Sequence, residues 1–338
     1  MQGDIIERTV QAICDEIERS PWRGIPAKTI FFGGGTPTFL SEEQLLRIFS
    51  MVLAVHPPIK NAEITSEANP GTVDAAKFKA MKGAGFNRIS LGAQSFLDSD
   101  LIRLDRIHQA GDIERAVGAA REAGFENINI DLMFALPDQT MAAWKRNLDR
   151  AFSLETDHLS LYCLTIEPNT AFYKRQLKGE LDLPDDDDQV AMYDLCCERA
   201  KQAGFEQYEI SNFAKPGLEC RHNLCYWYGE SYAAYGPGAV GFMDGSRFTN
   251  LKHPERYSDA VETRQRIAFE SEIIDEATHR TEKIMLGMRL NQGISDDGIL
   301  STNIQRVIDR GWIDHSDSRI RLTKEGRHFC SEVALELM

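Results

Sequence analysis

The chain lacks the cysteine patterns that stabilise many small proteins. Its seven cysteines are an odd number at irregular spacings, and no two of them form a C-x-x-C pair. This usage argues against a disulfide framework and against a structural zinc site, and it is typical of proteins kept in a reducing compartment. The sequence therefore predicts a cytoplasmic protein with free thiols.

Long apolar runs and an excess of basic residues are also absent. No run approaches the roughly 20 apolar residues that cross a bilayer, and the opening MQGDIIERTV has no signal-peptide pattern. The 38 Lys and Arg residues stand against 52 Asp and Glu, so the net charge is −14. Because this charge repels nucleic-acid phosphates, we expect no nucleic-acid partner. Because no apolar run is long enough, we also expect no transmembrane segment.

Helix and strand patterns alternate through the first two thirds of the chain, which favours an α/β fold with a parallel sheet. Apolar runs predict five strands, and helical periodicity predicts helices around and between them. The predicted strands are Thr29–Phe32, Glu63–Ser66, Arg88–Leu91, Asn127–Met133 and His158–Leu164; the predicted helices are Ile5–Glu18, Ser41–Ala54, Asp74–Gly83, Asp112–Ala123, Met141–Phe152 and Val190–Ala203.

The chain is predicted to have three parts. Residues 1–207 carry the alternating pattern, residues 208–270 are rich in glycine and aromatic residues, and residues 271–338 form a small α+β domain. In the third part, helices at Glu282–Leu290 and Ile299–Arg310 precede a hairpin with its turn at Asp314–Ser318. This order is typical of a winged-helix module, for which the acidic charge favours a packing or lid role.

A glycine-rich turn follows the first predicted strand. TIFFGGGTPT at Thr29–Thr38 places Gly33, Gly34, Gly35 and Thr36 directly after an apolar run. Glycines lack a Cβ and so let backbone groups approach a ligand closely, and Thr36 adds a hydroxyl. The motif alone leaves two alternatives open, a polar ligand site and a plain tight turn.

Polar residues stand at the carboxyl ends of all five predicted strands. Ligands of parallel α/β folds bind at this end, because the strand ends and the loops after them converge there. The pattern therefore predicts one shared site. Its members are Gly35 and Thr36, Glu67 and Asn69, Gln94 and Ser95, Asp131, and Thr165 with Glu167.

Motifs along this edge resemble those of the radical S-adenosylmethionine (SAM) proteins of the oxygen-independent coproporphyrinogen III oxidase group. They are GGGTP at Gly33–Pro37, EANPG at Glu67–Gly71, SLGAQSF at Ser90–Phe96, RIH at Arg106–His108 and DLMFALPDQT at Asp131–Thr140. Two further motifs, LTIEPNT at Leu164–Thr170 and HNLCYW at His222–Trp227, are similar to the HemW-type haem chaperones of that group more than to the oxidases. The resemblance implies an incomplete (β/α)6-type radical SAM barrel that lacks its first strand, followed by a winged-helix-like domain.

The same resemblance implies a set of SAM contacts. A carboxylate suits the amino group or the ribose hydroxyls of SAM, and a guanidinium suits its carboxylate. Two alternatives stay open: Arg106 could form a surface ion pair, and Glu67 could be a turn residue at a strand end. The implied contacts are Gly34, Gly35, Thr36, Glu67, Gln94, Arg106 and Asp131.

The HNLCYW motif implies a haem contact. An imidazole can bind haem iron, and aromatic neighbours supply an apolar wall for a porphyrin. The family's candidates are His222, Asn223, Tyr226 and Trp227, with Cys220 and Cys225 as secondary ones. From the residues alone, a structural histidine and a surface loop with two ordinary thiols remain the alternatives.

The chain departs from the family at the cluster motif. The family holds a 4Fe-4S cluster through C-x-x-x-C-x-x-C ahead of GGGTP, and here Cys14 is the only cysteine before Gly33. A single thiolate cannot hold the cluster, so no metal ligand is assigned. Two alternatives follow, an N-terminally shortened family member and a natural cluster-free relative, and the intact SAM motifs favour the first.

The resemblance implies a haem chaperone that binds haem and SAM and transfers haem to acceptor haem proteins. The alternative is an oxygen-independent coproporphyrinogen III oxidase of porphyrin biosynthesis that uses a 5′-deoxyadenosyl radical. The partners implied are haem or another porphyrin, acceptor haem proteins and a possible second copy of the chain. An adaptor that docks a partner through its acidic surface is a weaker third hypothesis.

Overall fold

The alternating helices and strands of the first two thirds are present in the computed structural model, which describes residues 2–338. The contacts define two units: a first unit of residues 2–65 and 221–338, and a second unit of Ser66–Cys220. The three-part division at residues 207 and 270 stays a prediction. None of the helices described within residues 2–338 combines the length and apolar character needed to cross a bilayer.

The secondary-structure elements are as follows. The helices are α1 Gln2–Glu18, α2 Glu42–Val55, α3 Ala75–Ala84, α4 Asp98–Arg103, α5 Ala110–Glu122, α6 Met141–Ser153, α7 Ala171–Leu177, α8 Asp186–Gln202, α9 Arg221–Trp227, α10 Pro254–Glu262, α11 Glu276–Gly287, α12 Ser301–Asp309 and α13 Cys330–Leu337. The strands are β1 Ala27–Phe32, β2 Pro58–Ala68, β3 Arg88–Gln94, β4 Asn127–Phe134, β5 His158–Cys163, β6 Glu206–Gln207, β7 Asn212–Ala214, β8 Val240–Met243, β9 Ser246–Asn250, β10 Ala268–Ile273, β11 Ile294–Ser295, β12 Ile313–Ser316 and β13 Arg319–Leu322.

The main sheet has the strand order β1-β2-β3-β4-β5-β7-β6, and the chain passes from the first unit to the second within β2. In the second unit β3, β4 and β5 are parallel, whereas β7 is antiparallel to both β5 and β6. The apolar residues of the parallel strands are buried, as expected for strands covered on both faces. Ile89, Leu91, Ile128, Ile130 and Leu132 are all fully buried there.

The first unit has two apolar cores near its chain start and one near its chain end. Helix α1 packs against α2 through Val10, Cys14 and Ile17, so Cys14 is a core residue. On another face, α1 packs against α10 around Ala12 and Tyr257. A separate antiparallel sheet of β8, β9 and β10 belongs to this unit. The sequence missed it, because a segment rich in glycine and aromatics shows no regular period.

The chain end has the predicted order of two helices and a hairpin. Helices α11, α12 and α13 enclose an apolar core with a sheet of order β11-β13-β12. The hairpin of β12 and β13 turns at Asp317 and Ser318, whose φ angles are +53° and +56°. Two left-handed residues in a row are typical of a type I′ turn, which matches the twist of the flanking strands. The predicted hairpin is therefore confirmed, with its turn at the end of the predicted range.

Candidate functional site

Asp131 lies in the second unit, on the central strand β4, half-buried and opposite Gly92 of β3 and Ser160 of β5. Its carboxylate accepts a hydrogen bond of 2.7 Å from Asn129 Nδ2 and one of 3.3 Å from Ser90 Oγ. Burial raises the pKa of the Asp131 carboxyl, and these hydrogen bonds oppose the shift because they stabilise the ionised form. The carboxylate is thus held in one orientation by its neighbours.

A chain of buried polar residues supports Asn129. Its Oδ1 lies 2.6 Å from His158 Nδ1, and His158 Nε2 lies 2.8 Å from the Tyr208 hydroxyl. His158 and Asn129 are almost fully buried. Burial and the nearby Arg88 guanidinium lower the pKa of His158 well below its ordinary value, so the imidazole is neutral.

Gln94 is the last residue of β3, and Arg106 follows α4. Gln94 has a φ of +65°, and the pairing of β3 with β4 shifts by one residue between Gly92 and Gln94. Such bulges redirect a side chain. Desolvation lowers the pKa of the Arg106 guanidinium, and the nearby charge of Asp131 opposes this shift. Asp131 and Arg106 therefore lie within electrostatic range of each other.

Glu67 is a half-buried residue near the end of β2. The turn that follows it is shaped by Asn69, whose Oδ1 accepts a hydrogen bond of 2.9 Å from the Gly71 N–H. This Asx turn opens a short 3-10 turn at Pro70–Thr72. In EANPG, Asn69 and Pro70 thus have a structural task, and Glu67 stays a predicted ligand contact.

The glycine-rich loop lies in the first unit, after β1. Gly34 has a φ of +81°, which explains glycine at that position. Gly35 does not have a positive φ, and a Cβ built on it would meet no protein atom within 4 Å. Neither backbone conformation nor packing therefore requires glycine at position 35. Close approach of a ligand is a reason that remains, and Thr36 beside it is exposed.

His222 lies on α9 in the first unit, and its imidazole contacts both aromatic and hydroxyl groups. Its ring stacks on Phe31 of β1 with centroids 4.8 Å apart. Nδ1 is 2.8 Å from the Thr29 hydroxyl, and Nε2 is 2.8 Å from the Tyr226 hydroxyl. Tyr226 in turn meets Tyr232 edge-on at 4.7 Å. The predicted His222 and Tyr226 are therefore together in an aromatic cluster, and His222 is half-buried.

Helix α9 is held at its start by Glu63 of β2. The buried Glu63 carboxylate accepts the backbone N–H groups of Arg221 and His222, each at 3.0 Å. A carboxylate at this position accepts from N–H groups that have no partner within the helix, and its negative charge interacts favourably with the positive end of the helix dipole. The sequence missed Glu63, and the loop interpretation of ECRHNLCYW is wrong, because this carboxylate makes Arg221–Trp227 a helix.

The other haem candidates around the HNLCYW motif are Asn223, Trp227, Cys220 and Cys225. Asn223 is half-buried, and Trp227 packs under the Arg289 guanidinium, 4.6 Å from its ring centroid. Cys220 is fully buried at the end of the second unit, and burial raises the pKa of the half-buried Cys225. A thiol with a raised pKa is a poor thiolate ligand. His222 is therefore the strongest candidate of the group.

The described residues do not offer a cluster site. In residues 2–338, no group of three or more His, Cys, Asp or Glu side chains is placed to hold a metal ion. The donors of the second unit, by contrast, fit SAM: Asp131 and Glu67 offer carboxylates for hydroxyl and ammonium groups, and Arg106 offers a guanidinium for a carboxylate. The SAM contacts and the missing cluster ligands therefore both stay predictions.

Comparison with known proteins identifies the family. Residues 1–151 match the radical SAM superfamily and residues 274–329 match the HemN C-terminal domain. The heme chaperone HemW of Bacillus subtilis is 38% identical over 318 residues, covering 90% of this chain and 84% of that protein. The chain belongs to the HemW family. HemW of Escherichia coli is 36% identical over 326 residues, covering 93% of this chain and 85% of that protein.

A solved structure of coproporphyrinogen III oxidase (HemN) from Escherichia coli, described as a radical SAM enzyme, has the same fold. It aligns with a TM-score of 0.85 over 98% of this chain and 83% of its own, at 20% sequence identity. At that identity the likeness shows the fold alone. The expected α/β radical SAM fold followed by a small C-terminal domain is therefore confirmed for this HemW family member, and that domain matches the HemN C-terminal domain.

Proposed function

We propose that the chain is a haem chaperone that binds haem and SAM and transfers haem to acceptor haem proteins in the cytoplasm. The observation that carries the proposal is His222, a half-buried imidazole on a capped helix within an aromatic cluster. Family membership supports it, since the matched relatives are named heme chaperones. A homodimer and the cytoplasmic location belong to the proposal as well.

His222 is suited to iron through Nε2. When Nδ1–H donates to the Thr29 hydroxyl, Nε2 presents its lone pair, which in the structure faces the Tyr226 hydroxyl at 2.8 Å. A histidine whose second nitrogen is held by a protein oxygen has a fixed tautomer and ring orientation, as metal-binding histidines usually do. Haem binding then requires the Tyr226 hydroxyl to leave Nε2, and the rings of Phe31 and Tyr226 supply apolar contact for the porphyrin.

We further propose that SAM is bound by the family's motif residues. In the second unit the proposed contacts are Glu67, Gln94, Arg106 and Asp131. The resemblance adds Gly34, Gly35 and Thr36 as predicted contacts. Asp131 accepts hydroxyl or ammonium donors, and Arg106 pairs with the methionyl carboxylate. A 4Fe-4S cluster would supply an electron for SAM cleavage in this family. The described residues do not provide its ligands, so no step of the proposal depends on it.

Hemin titration of the full chain tests the haem proposal. We expect a Soret change in the wild type that is lost in His222→Ala. The matched control is His253→Ala, because His253 is an exposed histidine of the same unit that precedes α10. Mixing the loaded protein with an apo-haem protein then measures transfer. Absence of a Soret change in the wild type, or its persistence in His222→Ala, would sink the assignment of His222.

The alternative, coproporphyrinogen III oxidase activity, has weaker support. Its solved representative shares the fold at 20% identity, whereas the chaperones share 36–38% of their residues with this chain. Propionate decarboxylation of coproporphyrinogen III under anaerobic conditions would favour the oxidase. Haem binding and transfer without decarboxylation would favour the chaperone.

A further inference from the structure

We propose that Asn129, held by His158 and Tyr208, is a positioning residue that fixes the Asp131 carboxylate for SAM. The inference deepens the SAM part of the proposed function and rests on it. All of its members lie in the second unit. The case depends on the direction of each hydrogen bond along the chain of residues, which the chemistry of the partners determines.

The orientation of the Asn129 amide follows from its acceptors. One amide atom lies 2.7 Å from Asp131 Oδ1 and 2.7 Å from Ser90 Oγ, and it is assigned as Nδ2. The reversed amide would place a carbonyl oxygen against a carboxylate, two acceptors with no proton between them. Nδ2 must therefore face Asp131, and Oδ1 must face the opposite side.

That orientation determines the tautomer of His158. Asn129 Oδ1 can only accept, so His158 Nδ1, 2.6 Å away, must carry the proton. A neutral imidazole with Nδ1–H has a lone pair on Nε2, which accepts from the Tyr208 hydroxyl at 2.8 Å. Ser160 Oγ gives Asn129 Oδ1 a second, longer hydrogen bond of 3.2 Å. The donor direction thus runs from Tyr208 through His158 and Asn129 to Asp131.

The consequence for Asp131 is a defined orientation and a stabilised charge. A charge-assisted hydrogen bond of 2.7 Å from Asn129 occupies Oδ1, whereas Oδ2 accepts a longer one of 3.3 Å from Ser90, and Ser160 also stabilises the carboxylate. Other charged or titratable groups act on these residues: Arg88 on Asp131 and His158, and Arg106 and Tyr162 on Asp131. These groups are unchanged by substitution of Asn129, so a variant isolates its contribution.

The test measures SAM affinity of the full chain by titration calorimetry. Asn129→Leu and Asp131→Asn should each weaken SAM binding by about ten- to hundredfold. The double variant should bind no more weakly than Asp131→Asn, because both changes remove the same interaction. The control is Cys196→Ala, which truncates a fully buried polar side chain of α8 in this unit whose thiol bonds the Met192 carbonyl instead, and should leave SAM affinity unchanged.

A pH profile separates positioning from general damage. SAM binding needs the Asp131 carboxylate ionised, so affinity falls as pH falls through its pKa. Without the Asn129 donor that pKa rises, and Asn129→Leu should lose affinity at a higher pH than the wild type. If Asn129→Leu does not fold, His158 provides the second test. His158→Asn keeps a donor near Nδ1 and should retain affinity, whereas His158→Leu should lose a few-fold.

The possible results are distinguishable. Failure of the wild type to bind SAM would overturn the proposed function itself. If the wild type binds SAM, any of three results would overturn this inference alone. They are an unchanged affinity and pH profile in Asn129→Leu, additive effects of the two single variants, and equal affinities in His158→Asn and His158→Leu.

Discussion

His158 and His222 place the same side chain in two different environments. Each has both ring nitrogens within 2.8 Å of a protein oxygen, so hydrogen bonding alone does not distinguish them. Burial does: His158 is fully buried on a central strand, whereas His222 is half-buried on a short helix. A buried imidazole is fixed as part of the fold, and a half-buried one can exchange a protein partner for a ligand.

The largest expected difference is in stability. His158→Leu removes a buried imidazole and leaves the Tyr208 hydroxyl without its acceptor, so we expect about 2–4 kcal/mol lower free energy of unfolding. His222→Leu should cost about 1 kcal/mol, because water can reach the groups left behind. Urea unfolding of both variants measures the comparison. Equal losses would contradict the role that we assign to burial.

The second difference is in pH dependence. His158 stays neutral in the fold because its pKa is lowered, whereas an unfolded histidine takes a proton below its ordinary pKa of 6.5. Below pH 6.5 the unfolded state therefore binds more protons, and stability falls by about 1.4 kcal/mol per pH unit until the folded pKa is reached. Asp131, whose pKa is raised, acts in the opposite direction at lower pH.

His158→Leu cannot show this loss. Its deficit relative to the wild type should therefore shrink as the pH is lowered from 6.5 to 5. Unfolding curves at both pH values measure the change. His108 is another buried histidine with a lowered pKa, and it is present in both proteins and cancels in the difference. A deficit that does not change with pH would show that folded His158 takes up a proton as readily as the unfolded chain.

The two histidines also differ in how far the sequence could predict them. His222 stands in a motif, so the resemblance marked it, whereas His158 looked like an ordinary residue at a strand start. A signal was present in NINIDLM, where Asn127, Asn129 and Asp131 alternate with apolar residues. Polar residues inside a sheet covered on both faces must find partners there. The alternation thus predicts a buried network, although not its members on β5.

The five predicted strands of the main sheet are confirmed, because each is a short segment with a local strand pattern. Helix α9 and the sheet of β8 to β10 were not predictable in the same way. Helix α9 depends on the Glu63 carboxylate, which lies 158 residues before Arg221. Local propensity contains no information on so distant a cap, and tertiary contact decides the helix.

A third prediction concerns that cap. Glu63→Gln keeps the shape of the side chain but removes its charge and one acceptor, so α9 should be less stable by about 1–2 kcal/mol. Because His222 depends on the start of α9, the hemin Soret change should also weaken. The control is Glu43→Gln, an exposed carboxylate in the first turn of α2. Unchanged hemin binding in Glu63→Gln would show that His222 needs no fixed helix.

The smallest expected effect tests the exchange of partners at His222. Tyr226→Phe removes the hydroxyl that lies 2.8 Å from Nε2 while the ring remains against Tyr232. Haem then no longer displaces a hydrogen bond with a net contribution of about 0.5–1.5 kcal/mol. Hemin affinity should therefore rise by roughly two- to tenfold, while the free energy of unfolding falls by about 1 kcal/mol because the same hydrogen bond is lost from the fold. A weaker affinity in Tyr226→Phe would contradict displacement, because it would mean that the hydroxyl contacts the bound haem or its ligand.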